Sequence, residues 1–228
     1  MKRWFILLLF FSMTIWSQSS FEKGQILLEQ KKYLLAKPLF ENLLKENPKD
    51  YKVIDCLGEI AFHTQNWDEA IKYASKLKTT FPKNADYWFK YGGALGMKAK
   101  SSNKFKALGM IDDIKEAFET SAKLDTKHIN VRWALVMLYI ELPGIIGGSE
   151  SKAQKYANEL MNLSKVDGYL AKGYIDVYFE RYNQAEVNYQ KAHEIGHSKT
   201  TFEKLYDLYL NKLKNKEKAQ KIKNEYTT

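Results

Sequence analysis

Residues His193-Glu194-Ile195-Gly196-His197 read H-E-x-x-H. On a helix, two histidines four apart can share one zinc ion, with the glutamate between them as general base. A hydrolytic zinc needs a third protein ligand. The extended form of the motif supplies it through a glycine and a histidine further on, where this chain has Thr200 and Glu203. No histidine follows His197, the later acids sit in a polar tail, and no strand pattern precedes the motif. Gly196 also loosens the turn on which His197 depends. The expectation is a pair of solvated histidines at a helix end, and a zinc metalloprotease is only a distant alternative.

The run Pro143-Gly144-Ile145-Ile146-Gly147-Gly148-Ser149 is a second candidate. Ser149 is placed to cap the helix that follows, and helix N-termini attract anions. The run lacks the G-x-x-x-x-G-K-[ST] spacing and follows a helix, so it reads equally as a glycine-rich turn or a protruding contact loop. Cys56, the single cysteine, excludes an internal disulfide or a multi-cysteine zinc site and reads as core. His63 and His128 stand alone, and no Ser/His/Asp or Cys/His set can be assembled. These residues predict no catalytic centre, no cofactor and no bound metal.

The elements that carry these residues follow from composition and periodicity. The chain has 228 residues, 45% of them hydrophobic and 14% aromatic, with only four prolines, which favours helix. The formal charge of +9 is spread without an arginine-rich block, so no nucleic-acid partner is expected. Lys2 and Arg3 precede an apolar run of 13 residues, Trp4 to Trp16, and then the polar Ser17-Gln18-Ser19-Ser20. That is the layout of a secretory signal peptide over residues 1–19, and the run falls short of the ~20 residues a spanning helix takes. The expectation is an exported chain, periplasmic or envelope-associated, with no transmembrane span after cleavage. A retained anchor is the alternative.

A period of 34 residues organises the rest. Gly24, Gly58 and Gly92 share it, as do the pairs Tyr33 and Trp67, Ala36 and Ala70, Phe40 and Ala74, and Pro48 and Pro82. Small residues at Gly58, Ala61 and Ala70 allow two helices to approach, Leu77 fills the groove, and Pro82 ends the second helix. One such pair cannot bury its own apolar face, so pairs stack. With Leu57-Gly58, Ala61, Trp67, Ala70, Ala74, Leu77 and Pro82, residues 51–84 resemble the tetratricopeptide repeat, a helix–turn–helix unit.

The third block keeps phase through Trp88, Tyr91-Gly92 and Leu95. Its second helix (Ile114, Phe118, Ser121, Leu124) fits only with about ten inserted residues. The stretch 96–113 then reads as lengthened helices around a turn at Ser101-Ser102-Asn103. A fourth block (Leu135, Tyr139; Ala153, Ala157, Leu160) carries an enlarged loop at 142–149, and a fifth (Gly173, Tyr182, Ala185, Tyr189, Ala192) is regular. Residues Thr200 to Thr228 give a final pair with a polar last stretch, as a cap facing water requires. The predicted fold is all-α: a right-handed α/α superhelix of about five repeats plus a C-terminal capping helix pair, spanning residues 20–228. Pro38 inside a second helix, and Thr126 and His197 in place of the terminating proline, depart from the repeat pattern.

The long third block and the Gly-Gly loop are also similar to a group of exported bacterial tetratricopeptide proteins. A fainter similarity runs to the eukaryotic regulator of microtubule dynamics family. Neither similarity implies an activity. Membership of the repeat family implies that first helices line a concave groove. By repeat position the groove residues are Phe62, His63, Phe89, Met97, Trp133, Met137, Tyr174 and Tyr178, with Phe21, Asp55, Leu170 and Val177 at equivalent places. The implied function is a non-enzymatic scaffold that holds a protein or peptide partner, since aromatic and methionine side chains serve as interface anchors. The alternative is a small-molecule-binding subunit of an envelope uptake system, with an enclosed pocket near the insertions.

Overall fold

The computed structural model describes residues 20–227, so the expected signal peptide lies outside the described residues. Helix α1 covers 20–29 and pairs in sequence with α2 (Tyr33–Glu46). Then follow α3 (Tyr51–His63) and α4 (Trp67–Thr80), and α5 (Ala85–Lys100) and α7 (Ile111–Leu124) with the short α6 (Lys104–Leu108) between them. Next come α8 (Ile129–Glu141) and α9 (Glu150–Leu163), joined through a 3-10 turn at Gly144–Ile146, and α10 (Lys165–Tyr178) and α11 (Tyr182–Gly196). The last pair is α12 (Lys199–Asp207), prolonged by a π turn at Leu208–Lys212, and α13 (Lys216–Thr227). The chain divides into two compact units, the first ending at Leu124 and the second starting at Asp125. Among the described residues no helix is long and apolar enough to cross a membrane.

Local chemistry sets the helix starts. Asp50, Asn66, Asn84, Asn103, Ser149, Ser164 and Ser198 each accept a backbone N–H of the following first turn through the side chain. The turns inside regular pairs share a device that composition does not announce. Lys31, Gln65, Glu180 and Lys214 all adopt positive φ, between 54° and 59°, two residues before the second helix starts. Lys31 and Gln65 stand one period apart, as do Glu180 and Lys214. Bonds from Asn66 N to the Ala61 carbonyl and from Arg181 N to the Asp176 carbonyl, both 2.8 Å, close two of these turns. No glycine marks them, although the left-handed region disfavours residues with a Cβ.

Within the first unit, Ala36, Phe40, Leu43, Val53, Leu57 and Ile60 form one buried cluster, and Ala61, Ala70 and Ala94 another. Within the second, Leu170, Ala185, Tyr189, Ala192, Leu205, Leu208, Tyr209, Ala219 and Ile222 are buried together. Gly24 and Gly173 have an aromatic volume partner sixteen residues on, whereas Gly58 has Ala74 there and faces the Tyr73 Cβ. A Cβ on Gly24 would stand 2.6 Å from the Phe40 ring, and one on Gly173 would stand 2.3 Å from Tyr189. The same relation joins Gly92 to Phe118, ten residues later than the regular spacing, and so measures the insertion. In the fourth pair the volumes reverse: Val136 takes the glycine place and Ala157 the aromatic one, both buried.

Two expectations are modified. Only the first helix of the third pair is lengthened, to Lys100. The rest of the insertion is a separate helix, α6, because Asn103 caps a new start. Pro38 leaves α2 unbroken, since it lies on the exposed side, where water can replace the lost backbone bond.

Candidate functional site: the first-helix faces

In the first unit the face is built from α3 and α5. Asp55 and Phe62 are two helical turns apart on α3, and Phe89, Gly93 and Met97 recur every four residues on α5. The Lys90 ammonium bridges to the Asp55 carboxylate and ties the two helices. Phe62 is half-buried, edge-on to Trp67 at 5.4 Å between ring centroids, with Gly93 opposite it. His63 is exposed and stacks on Tyr33 at 4.7 Å. Phe89 packs towards Phe118 at 6.0 Å, inside its own pair. Met97 is 39% exposed.

The second unit repeats the pattern on α8 and α10. Trp133, Met137 and Glu141 share one stripe of α8; Asp167, Tyr174 and Tyr178 share one of α10. Two polar bonds join the stripes: Trp133 Nε1 donates to Asp167 Oδ1 at 2.8 Å, and Tyr174 Oη donates to Glu141 Oε1 at 3.1 Å. Burial, and then the neighbouring Glu141 carboxylate, push the Tyr174 hydroxyl well above the ordinary tyrosine range, so it stays a donor. Met137 and Tyr178 are left forward, 38% and 49% exposed. Leu170, by contrast, is buried.

The structure thus distributes the eight expected residues between roles. Met97, Met137, Tyr178 and His63 project; Phe62, Phe89, Trp133 and Tyr174 are half-buried and shape the face from below. Sequence reasoning missed the carboxylates Glu141 and Asp167, and the Asp55–Lys90 bridge, which fix these faces. Their signal is a spacing near one period, 33 to 35 residues, between complementary polar types.

The other candidates resolve as structure. His197 is the left-handed residue that ends α11, φ 41°, and its ring lies edge-on to that of His193 at 5.9 Å between centroids. His193 Nδ1 pairs with Thr201 Oγ1 at 3.0 Å, and among the described residues no group of three His, Cys, Asp or Glu side chains is placed to hold a metal. In the Gly-Gly loop, Gly147 takes φ 101°, and a Cβ on Gly148 would meet the Leu142 carbonyl oxygen at 1.8 Å. The amides of Ile146, Gly147, Gly148 and Ser149 donate to the carbonyls of Pro143, Gly144, Pro143 and Tyr139, so none is aimed at an anion. Ser149 caps α9 as expected.

His128 Nδ1 accepts from Val131 N at the start of α8. Beside it the buried Arg132 guanidinium donates to Glu159 and to the carbonyls of Asp125 and His128. Cys56 is half-buried against the first cluster.

Residues 27–90 match the family profile of the tetratricopeptide repeat. Over these residues the chain carries tetratricopeptide repeats. No curated protein matches this tetratricopeptide chain in sequence. Among solved structures it is similar to a thermophilic tetratricopeptide protein of Thermus thermophilus (TM-score 0.66, 17% identity). That likeness covers 87% of this chain and 97% of the other. A tetratricopeptide repeat protein from Parabacteroides merdae gives TM-score 0.66 at 15% identity, over 92% and 79%. PilF of Pseudomonas aeruginosa gives 0.63 at 13%, over 92% and 89%. These likenesses establish the fold, an all-α tetratricopeptide solenoid, a fold suited to protein interaction.

Proposed function

We propose that this tetratricopeptide chain is a non-catalytic scaffold that holds an extended peptide or a helix of a protein partner against its first-helix faces. The observation that carries the reading is the projecting set Met97, Met137 and Tyr178 beside half-buried aromatic residues. These are Phe62 and Phe89 in the first unit and Trp133 and Tyr174 in the second, the latter two hydrogen-bonded within their unit. Packed and bonded aromatic residues have little freedom left to lose on binding, and the flexible methionine tips can adapt their shape to a partner. The layout of residues 1–19 supports export, and with it an envelope partner.

The test is a photo-crosslinking amino acid placed in turn at positions 97, 137 and 178, with position 187 on α11 as control, in cells of the source organism. One partner protein captured from all three positions, and not from 187, is the expected result. Equal capture at 187, or three unrelated adducts, would sink the reading. The intact mass of the recovered chain reports whether residues 1–19 have been removed.

A further inference from the structure

The three most exposed large apolar side chains of the first unit, Phe105, Leu34 and Leu35, are not on first helices. They sit on the edge formed by the connections from first to second helices. Leu34 and Leu35 begin α2 and are 77% and 61% exposed; Phe105 and Leu108 belong to α6 and are 87% and 46% exposed. Three contacts show that these connections line one edge. Tyr33 stacks on His63, a shallow depression of about 380 Å³ is shared by Lys31–Leu35 and Thr64, and the Lys98 ammonium bridges to Asp68 at the start of α4. Lysines flank both apolar tips: Lys31 and Lys32 before the first, Lys104 and Lys106 around Phe105, all exposed. The carboxylates nearby are largely engaged, Asp68 by Lys98 and Glu69 by Lys37, leaving Glu29 near Lys31.

We propose that this edge of the first unit docks on an anionic lipid bilayer, with Leu34, Leu35 and Phe105 entering the interfacial layer and the four lysines meeting headgroup phosphates. A protein partner would be expected to meet a concave, shaped surface. Here the apolar groups stand on protruding tips at separate connections, which suits a soft, flat medium that closes around each one. The flanking lysines supply the charge complement, and their long stems let the ammonium groups stay at headgroup level while the tips go deeper. The surface adjoins the first-helix face at His63 but includes none of Met97, Met137 and Tyr178, on which the protein-partner reading rests, so separate positions test the two readings.

The test uses the full chain, because the apolar residues 4–16 can themselves bind lipid and only a positional readout separates the two. Cysteine is introduced singly as Leu34→Cys, Phe105→Cys and Lys83→Cys, the last on the opposite edge between α4 and α5, and labelled with an environment-sensitive fluorophore. Vesicles of phosphatidylglycerol and phosphatidylcholine in equal parts carry spin labels near the headgroups. Blue-shifted, quenched emission at 34 and 105, with none at 83, is expected. Lys104→Gln with Lys106→Gln then raises the lipid concentration for half-maximal quenching at 34 on the order of tenfold or more. Vesicle-bound protein unquenched at both 34 and 105 overturns the proposal. So does equal quenching on pure phosphatidylcholine, or emission at both positions that is blue-shifted only by a protein from an envelope extract.

Discussion

The indole of Trp133 on α8 and the carboxylate of Asp167 on α10 stand one repeat apart and are joined by a 2.8 Å hydrogen bond. The same aspartate lies in the first turn of α10, where a negative charge favours the helix N-terminus. Trp133 therefore fastens successive pairs as well as paving the face. Trp133→Phe keeps the ring and loses the bond, and should lower stability by about 1 kcal/mol. Trp133→Ala also loses the packing against the second unit's core, and should cost about 3 kcal/mol. Urea unfolding of the two variants separates these terms, and equal losses would contradict the assignment. Crosslinking from position 137 should survive the phenylalanine change.

Two glycines on first helices should respond to alanine with opposite signs. A Cβ on Gly173 would stand 2.3 Å from Tyr189, a buried ring with no room to retreat. Gly173→Ala should therefore destabilise by about 2 kcal/mol, and Tyr189→Leu in the same chain should recover part of it. Nothing lies within 4 Å of a Cβ on Gly96, inside α5. Gly96→Ala should raise stability by about 0.5–1 kcal/mol, because alanine has less backbone freedom to lose. Thermal unfolding of both variants reads the contrast, and losses at both positions would be incompatible with it.

The Cys56 thiol is pushed up to about 12, first by burial and then by the Asp55 and Glu59 carboxylates. Only the thiolate attacks alkylating reagents. At pH 8, iodoacetamide should label the native chain on the order of a thousandfold more slowly than the chain in concentrated urea. Native labelling within a few-fold of the unfolded rate would mean that the α3 face opens readily.

Burial, and then the neighbouring His197, hold the His193 imidazole below its ordinary value of 6.5. A folded-state value below the unfolded one means that the unfolded chain binds the proton more tightly. Stability from this site is complete above 6.5 and is lost as pH falls through the lower folded value. Urea midpoints measured from pH 7.5 to 5 should therefore decline. His193→Gln should remove part of that slope while keeping a partner for Thr201. An unchanged slope would place the pH dependence elsewhere.

The repeat, its period and its interruptions are written in residues whose size or shape admits one use. Gly24, Gly92 and Gly173 are the clearest, since each underlies an aromatic ring on the paired helix and the ring leaves no space for a side chain. The ten-residue insertion was legible because Ile114, Phe118, Ser121 and Leu124 fit the period only with it; the structure adds that Phe118 packs against Gly92. The cap at Ser149 and the end of α11 at His197 followed from short-range chemistry that needs no tertiary partner. The left-handed turns at Lys31, Gln65, Glu180 and Lys214 were not legible. The closing turn imposes that conformation, whereas the residue types do not select it.

For the candidate site, sequence alone determined that Phe89, Trp133 and Tyr174 lie on first helices, because repeat phase assigns them there; that first helices carry a partner's face is what the repeat family implies. Which side chains project was decided only by tertiary structure. An aromatic at helical spacing can turn inward or outward, and the choice rests on neighbours far along the chain. Phe118 draws Phe89 into its own pair, and Asp167 and Glu141 hold Trp133 and Tyr174 down, so the forward positions fall to Met97, Met137 and Tyr178. The exposed edge of Leu34 and Phe105 belongs to tertiary structure as well. Seventy-one residues separate them in sequence, and only the stacking of pairs brings their turns to one side.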